Sequence, residues 1–192
     1  MKIWGMTDVG LVRKENQDAY AVEHRGSYDV CAVCDGMGGA AAGKLASEIA
    51  VRTYMETLVP ALEEGMSPET IQSAMAEAAA RANRAIREEA ERKPEYAGMG
   101  TTLVSAVSYP GGVAVANVGD SRAYRVTAEG IRRITRDHSL VESMVERGDI
   151  TEEEARRHPN RNLITRALGT DARVESDSYR TELAAGEYLL LC

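Results

Sequence analysis

Residues 28–39 read YDVCAVCDGMGG, and this stretch decides the fold. The apolar residues of 28–34 occupy both parities of a strand's two-residue alternation, so the run reads as a central strand covered on both faces. Aspartate follows at position 35, and the chain then turns through Gly36-Met37-Gly38-Gly39. The two thiols of this run, Cys31 and Cys34, lie three residues apart and therefore point to opposite faces of a strand. That spacing favours two core thiols over a redox or zinc pair. A second strand-like stretch, VRKENQDAY (12–20), also carries an aspartate, Asp18, at its edge.

Working outward, residues 1–8 and 19–24 read as strands, and Arg25-Gly26-Ser27 supplies a hairpin turn before the 28–34 run. Beyond the glycines the period changes. Leu45, Ile49, Tyr54 and Leu58 recur at helical spacing, which predicts a helix from Ala41 to about Leu58. Ser67 and Pro68 are an N-cap and a first-turn proline for a second helix. Its apolar face is Ile71, Met75, Ala79, Ala82 and Ile86, and Lys93-Pro94 ends it. Strands are then expected over 101–109, 113–118, 121–126 and 131–135, each bounded by Gly- or Pro-containing turns. Two short helices fall between 137 and 168, the second opened by the capping box of Thr151 and Glu154. Strand character returns at 173–182 and 187–192. No repeat or linker divides the chain, so residues 1–192 read as one domain. Hairpins of strands and two successive long helices specify α+β with antiparallel sheets packed face to face and helices outside.

Composition sets the remaining bounds. The chain has 192 residues, 44% hydrophobic and 28% charged, with a formal net charge of −7. These are the proportions of a globular protein, and the negative balance argues against nucleic acid or an anionic membrane as partner. No apolar run reaches the roughly 18 residues of a membrane span. The N-terminal stretch lacks the long apolar region of a signal peptide, which favours a cytoplasmic reading. Three cysteines do not make a disulfide framework. His24, His138 and His158 show no metal-ligand spacing and read as structural or exposed.

Asp18, Asp35 and Asp120 all stand where apolar strands give out. Taken singly, an aspartate beside glycine is a turn residue. Taken together, carboxylates from separate strands can converge at the rim of a sandwich, where their mutual repulsion calls for a cation. Oxygen donors select hard ions such as Mg²⁺, Mn²⁺ or Ca²⁺. Gly36, lacking a Cβ, lets its carbonyl approach an ion closely. Arg13 offers a planar fork suited to a phosphate beside such ions.

Six segments occur in order: DVGLVRKENQDAY, VCDGMGGAAAGKLAS, GMGTTLV, ANVGDSRAYR, RDHSLVESMVERGDIT and RRHPNRNLITRALG. Together they closely resemble the bacterial branch of the metal-dependent protein phosphatases, the type 2C or PPM family. The resemblance implies an αββα four-layer sandwich of two antiparallel sheets flanked by helix pairs. It implies hydrolysis of phosphoserine and phosphothreonine on proteins by a water activated by two Mn²⁺ or Mg²⁺ ions, with a third, looser ion. Under it, Asp35 bridges two ions, Gly36 lends its carbonyl, and Asp18 is a ligand or neighbouring carboxylate. Asp120 holds the third ion, Arg13 grips the substrate phosphate, and 137–168 is a flap beside the site. Substrates would be proteins phosphorylated by bacterial Ser/Thr kinases.

The family's NED is here Asn16-Gln17-Asp18, and the chain stops at EYLLLC, where the family pattern continues through Ser-Asp-Gly and Asp-Asn segments. The resemblance therefore implies a C-terminally incomplete domain, short of ligands for one ion, with weak or no turnover and an exposed sheet edge open to self-association. A silent phosphoprotein-binding or regulatory module is the alternative from a different class. A calcium-binding structural sandwich leaves Arg13 and the ordered motifs without a role.

Overall fold

A computed structural model describes residues 2–192, Ala40 by its backbone alone. Strands β1 (Asp18–Arg25) and β2 (Tyr28–Met37) form an antiparallel hairpin, followed by helices α1 (Ala40–Ala61) and α2 (Pro68–Arg92). Strands β3 (Gly100–Thr101), β4 (Leu103–Tyr109), β5 (Gly112–Val118), β6 (Ala123–Thr127) and β7 (Gly130–Arg133) come next. Short helices α3 (Leu140–Glu146) and α4 (Glu152–Arg157) precede β8 (Asp177–Thr181) and β9 (Tyr188–Leu191). One antiparallel sheet runs β1-β2-β4-β5-β8, with β3 attached to β2. A smaller sheet runs β7-β6-β9. This is the expected α+β class with two antiparallel sheets.

Two cores hold the layers together, and the strand alternation divides them. On β2 the residues of one parity, among them Val30, Ala32 and Cys34, are buried beneath the helices. They pack there with Tyr54, Leu58, Ile71, Met75 and Ile86 from α1 and α2. The opposite parity, Cys31 and Val33, is only half-buried and faces the second core. That core joins Val104, Ala106, Val113 and Val115 of the large sheet to Ala123, Leu189 and Leu191 of the small one. Cys31 and Cys34 thus lie on opposite faces, both unbridged, as the period-two reading requires. Burial pushes the Cys31 thiol up to about 11 and that of Cys34 higher still, so both remain protonated core groups.

Local signals in the sequence are realised closely. The Ser67 hydroxyl accepts the Thr70 N–H at 3.2 Å and caps α2, and Lys93 ends it. Thr151 and Glu154 make the reciprocal capping box of α4.

Three expectations are corrected. The strand at residues 1–8 is absent from the described part, 2–8, which runs as irregular chain; Met1 lies outside the described residues. Trp4 and Met6 there are 92% and 91% exposed, and a strand without a partner has no ladder to stabilise it. Asp35 does not end its strand. Gly36 and Met37 continue β2 by pairing with Thr101 and Gly100 of β3, partners too short to register as a strand signal of their own. Asp18 opens β1, so it begins a strand instead of ending one.

Helix α1 is tied to β4 by a buried hydrogen bond of 2.6 Å between the Tyr54 and Ser105 hydroxyls. Tyr54→Phe leaves the Ser105 hydroxyl without this partner inside the core. It is expected to lower unfolding free energy by about 1–2 kcal/mol, measured by urea denaturation with unchanged far-UV circular dichroism.

Candidate functional site

The β1–β2 hairpin sets the centre of the site. Eight residue pairs run in register from Arg25↔Tyr28 at the turn to Asp18↔Asp35 at the open end. Directly opposed residues of an antiparallel pair project to the same face. Asp18 and Asp35 therefore leave the sheet side by side, on the face shared by Cys31 and Val33. The pairing continues one bond further, Gly36 N–H donating to the Gln17 carbonyl at 3.1 Å.

The backbone of Asp35 is pinned from the end of β3 and from Thr102, the residue between β3 and β4. Its N–H donates to the Thr102 hydroxyl at 2.9 Å, and its carbonyl accepts from the Thr102 N–H and the Thr101 hydroxyl, each at 2.9 Å. The Thr102 hydroxyl also shares a hydrogen bond of 2.7 Å with Ser121, the residue after Asp120. One buried hydroxyl pair thus joins the Asp35 strand to the Asp120 turn. Sequence reasoning missed Thr102 and Ser121, because hydroxyls in apolar strands look like ordinary strand residues.

The glycine at 36 has a packing reason that the sequence did not disclose. A Cβ there would lie 1.9 Å from the Gly43 carbonyl oxygen of α1 and 2.9 Å from the Gln17 carbonyl. Gly43 answers in kind, since its Cβ would lie 2.8 Å from the Gly36 carbonyl carbon. The strand and the first turns of α1 therefore touch backbone to backbone.

Electrostatics mark the same place. Asp35 keeps contact with solvent, yet desolvation by the cleft walls, followed by the charge of Asp18, pushes its carboxyl pKa up to about 6. Asp120 adds to the rise and Arg13 opposes it. Burial also raises the Asp120 carboxyl, with Asp137 adding to it and Arg122 opposing. Arg13 is exposed in the loop before β1 and shares a cleft of about 260 Å³ with Asp18, Asp35 and Gly36. A second groove, about 650 Å³, runs from Asp18, Asp35 and Asp120 between the N-terminal segment and β9. Asp8 lines both hollows and was not singled out from the sequence. Asn16 positions this end of β1, its side chain accepting the Asp18 N–H at 3.0 Å and donating to the Thr7 hydroxyl at 2.7 Å.

Asp18, Asp35, Gly36, Asp120 and Arg13 are thus brought to one rim of the two-sheet sandwich. Among the described residues, no three His, Cys, Asp or Glu side chains are gathered closely enough to form a metal-binding group. The donor chemistry nevertheless fits a hard divalent cation: paired carboxylate oxygens, with the Asp35 carboxyl raised first by desolvation and then by the charge of Asp18.

Fold and rim together define a two-sheet α+β protein with an acidic edge and an arginine beside it. Residues 12–181 match the family model described as "Protein phosphatase 2C". The serine/threonine phosphatase stp of Listeria monocytogenes is 37% identical over 187 residues, covering 97% of this chain and 74% of that protein. The solved S. agalactiae serine/threonine phosphatase superposes with a TM-score of 0.89 at 34% identity, over 97% of this chain and 76% of that one. The catalytic domain of the phosphatase PstP, solved in complex with 2 manganese ions, superposes with a TM-score of 0.76 at 33% identity. It is covered over 72% of its length by 95% of this chain. The chain belongs to the protein phosphatase 2C family and is an enzyme of that protein-phosphatase class.

Two predictions follow from the polar frame and the carboxylate pair. Thr102→Val strands the Asp35 N–H and removes the Ser121 partner, and is expected to cost about 1–3 kcal/mol of stability by thermal denaturation. In chelator-treated protein, Asp35 binds its proton more tightly folded than unfolded. The Asp35 contribution to stability should therefore fall as pH rises from about 4 to about 6, so the urea midpoint of Asp35→Asn should rise relative to that of the wild type across this range.

Proposed function

We propose that the chain hydrolyses phosphoserine and phosphothreonine monoesters on proteins, its divalent ions, Mn²⁺ or Mg²⁺, held by Asp18, Asp35, the Gly36 carbonyl and Asp120. The observation that carries this reading is the side-by-side exit of Asp18 and Asp35 from paired strands, next to Arg13, in a protein phosphatase 2C chain. The manganese named for the PstP neighbour supports the choice of ion. Ions held by these residues would lower the pKa of bound water and would offset negative charge at the phosphoryl group.

The chain's own residues do the rest. Asp18 and Asp35 present acceptor oxygens from a rigid ladder, so little reorganisation accompanies binding. Arg13 reaches the same cleft from a loop and grips the phosphate oxygens as a charged fork. The segment 137–168 would serve as a flap, its first helix α3 held by ion pairs from Glu142 to Arg133 of β7 and from Glu146 to Arg136 just beyond it. No protein nucleophile is required, since both strand thiols are held protonated in the core. Substrates would be proteins phosphorylated by bacterial Ser/Thr kinases, met in the cytoplasm. No described helix is long and apolar enough to cross a membrane.

One observation favours the silent-module reading over full turnover: the absence, among the described residues, of any three clustered metal-binding side chains. The small sheet also ends at β9, whose Tyr188 and Leu190 are exposed, and this edge offers a place for a second copy to pair.

Purified protein is expected to release phosphate from p-nitrophenyl phosphate and phosphothreonine peptides only with added Mn²⁺ or Mg²⁺. Asp35→Asn should abolish this release. Arg13→Ala should lower kcat/KM roughly tenfold to a hundredfold, the worth of one charged hydrogen-bonded contact. Peptide binding without any phosphate release at saturating Mn²⁺ would establish the silent module instead. Light scattering across a concentration series reads the β9 pairing, and a monomer throughout excludes it.

A further inference from the structure

Behind the acidic rim lies a polar cluster that the proposed chemistry leaves without a task. His138 is 7% exposed and Asn117 is fully buried, and both converge on the backbone N–H and carbonyl of Gly119, the residue before Asp120. The Gly119 N–H donates to His138 Nδ1 at 3.0 Å, while the Gly119 carbonyl accepts the His138 backbone N–H at 2.9 Å. The Asn117 side-chain amide donates to that same carbonyl at 3.1 Å. Gly119 has φ +105° and a Cβ there would lie 2.6 Å from Thr102, so the turn is held by its neighbours in a shape that other residues resist.

The acceptor role of Nδ1 selects the tautomer. With a backbone N–H aimed at Nδ1, the ring proton sits on Nε2. Nε2 lies 3.3 Å from Asp177 Oδ2 and 3.0 Å from Arg166 NH1, so the ring edge away from Gly119 faces an ion pair. Arg166 completes the arrangement, its NH1 hydrogens directed to Asp177 Oδ1 at 2.6 Å and the Glu175 carbonyl at 3.1 Å. The backbone carbonyl of His138 accepts the Thr165 N–H at 2.8 Å, and Leu140 N–H bonds to the Leu163 carbonyl at 2.9 Å. The base of the flap and the Asp120 turn therefore meet at one residue.

We infer that His138 is a positioning residue, its Nε2-protonated ring clasping the Gly119 peptide so that Asp120 presents its carboxylate toward Asp35, and joining that turn to the flap. This rests on the reading of Asp120 as a metal ligand. From the sequence His138 reads as structural or exposed; the geometry makes it the partner that orients a ligand, as hydrogen-bonded neighbours orient ligands in metal sites generally.

The experiment uses the whole chain and two variants. His138→Ala removes the acceptor for Gly119, whereas in His138→Asn the side-chain oxygen occupies the place of Nδ1 and keeps it. Calorimetric titration with Mn²⁺ alone should show affinity falling roughly tenfold to a hundredfold in His138→Ala. His138→Asn should remain close to wild type, and Asp120→Ala sets the full loss. Nitrogen-15 NMR of the metal-free wild-type chain should show Nδ1 unprotonated. The inference is overturned by an Nδ1-protonated ring, by wild-type affinity in His138→Ala, or by equal loss or equal unfolding in the two His138 variants. If the wild-type chain takes up no Mn²⁺, the ligand reading of Asp120 fails. The tautomer and the Gly119 amide shift in His138→Asn still decide the clasp.

Discussion

Asp18 stands opposite Asp35 because the β1–β2 ladder leaves neither anywhere else to go. Two carboxylates so placed repel, and no local interaction would bring them together in a flexible chain. Eight backbone pairs, a tight turn at Gly26 and a hydrophobic face packed on α1 hold the hairpin in register against that repulsion. A slip by one residue would move Asp35 to the helix face and bury it in the core. The register is thus what converts two strand-end aspartates into an acceptor site, and the energy of the whole hairpin is what maintains it.

The rest of the molecule stiffens this arrangement in layers. On one side the Gly36–Gly43 contact lets α1 approach the strand more closely than any side chain would allow. On the other, Thr101 and Thr102 partner both polar groups of the Asp35 backbone, and the Thr102 hydroxyl bonds to Ser121, next to Asp120. Beneath them, Asn117 and His138 secure Gly119. The site is therefore apolar in its supports on the helix side and polar on the sheet side. The polar supports are hydroxyls, amides and one imidazole, which fix the direction of the groups they bond.

Much of this was legible residue by residue. The Ser67 and Thr151 caps, the turn before Tyr28 and the opposite facing of Cys31 and Cys34 all depend on contacts within a few positions, and each stands as the local pattern implies. The carboxylates and Arg13 were also identifiable, from their place at strand ends and from the ordered motifs. The failures share one cause. Residues 2–8 read as a strand but pair in no ladder, and β2 runs on past Asp35 because Gly100 and Thr101 come alongside. Both outcomes depend on partners distant in the chain.

The same division applies to function. From the sequence by itself came the family, the class of chemistry and the identity of the candidate ligands, because these reside in residue types and their order. Only the tertiary structure decided that Asp18 faces Asp35, that Thr102 and Ser121 bridge two carboxylate-bearing segments, and that His138 touches Gly119 instead of solvent. Those are relations between atoms 17 to 19 positions or more apart in the chain. Backbone pairing and core burial create them, and neither is encoded at any single position.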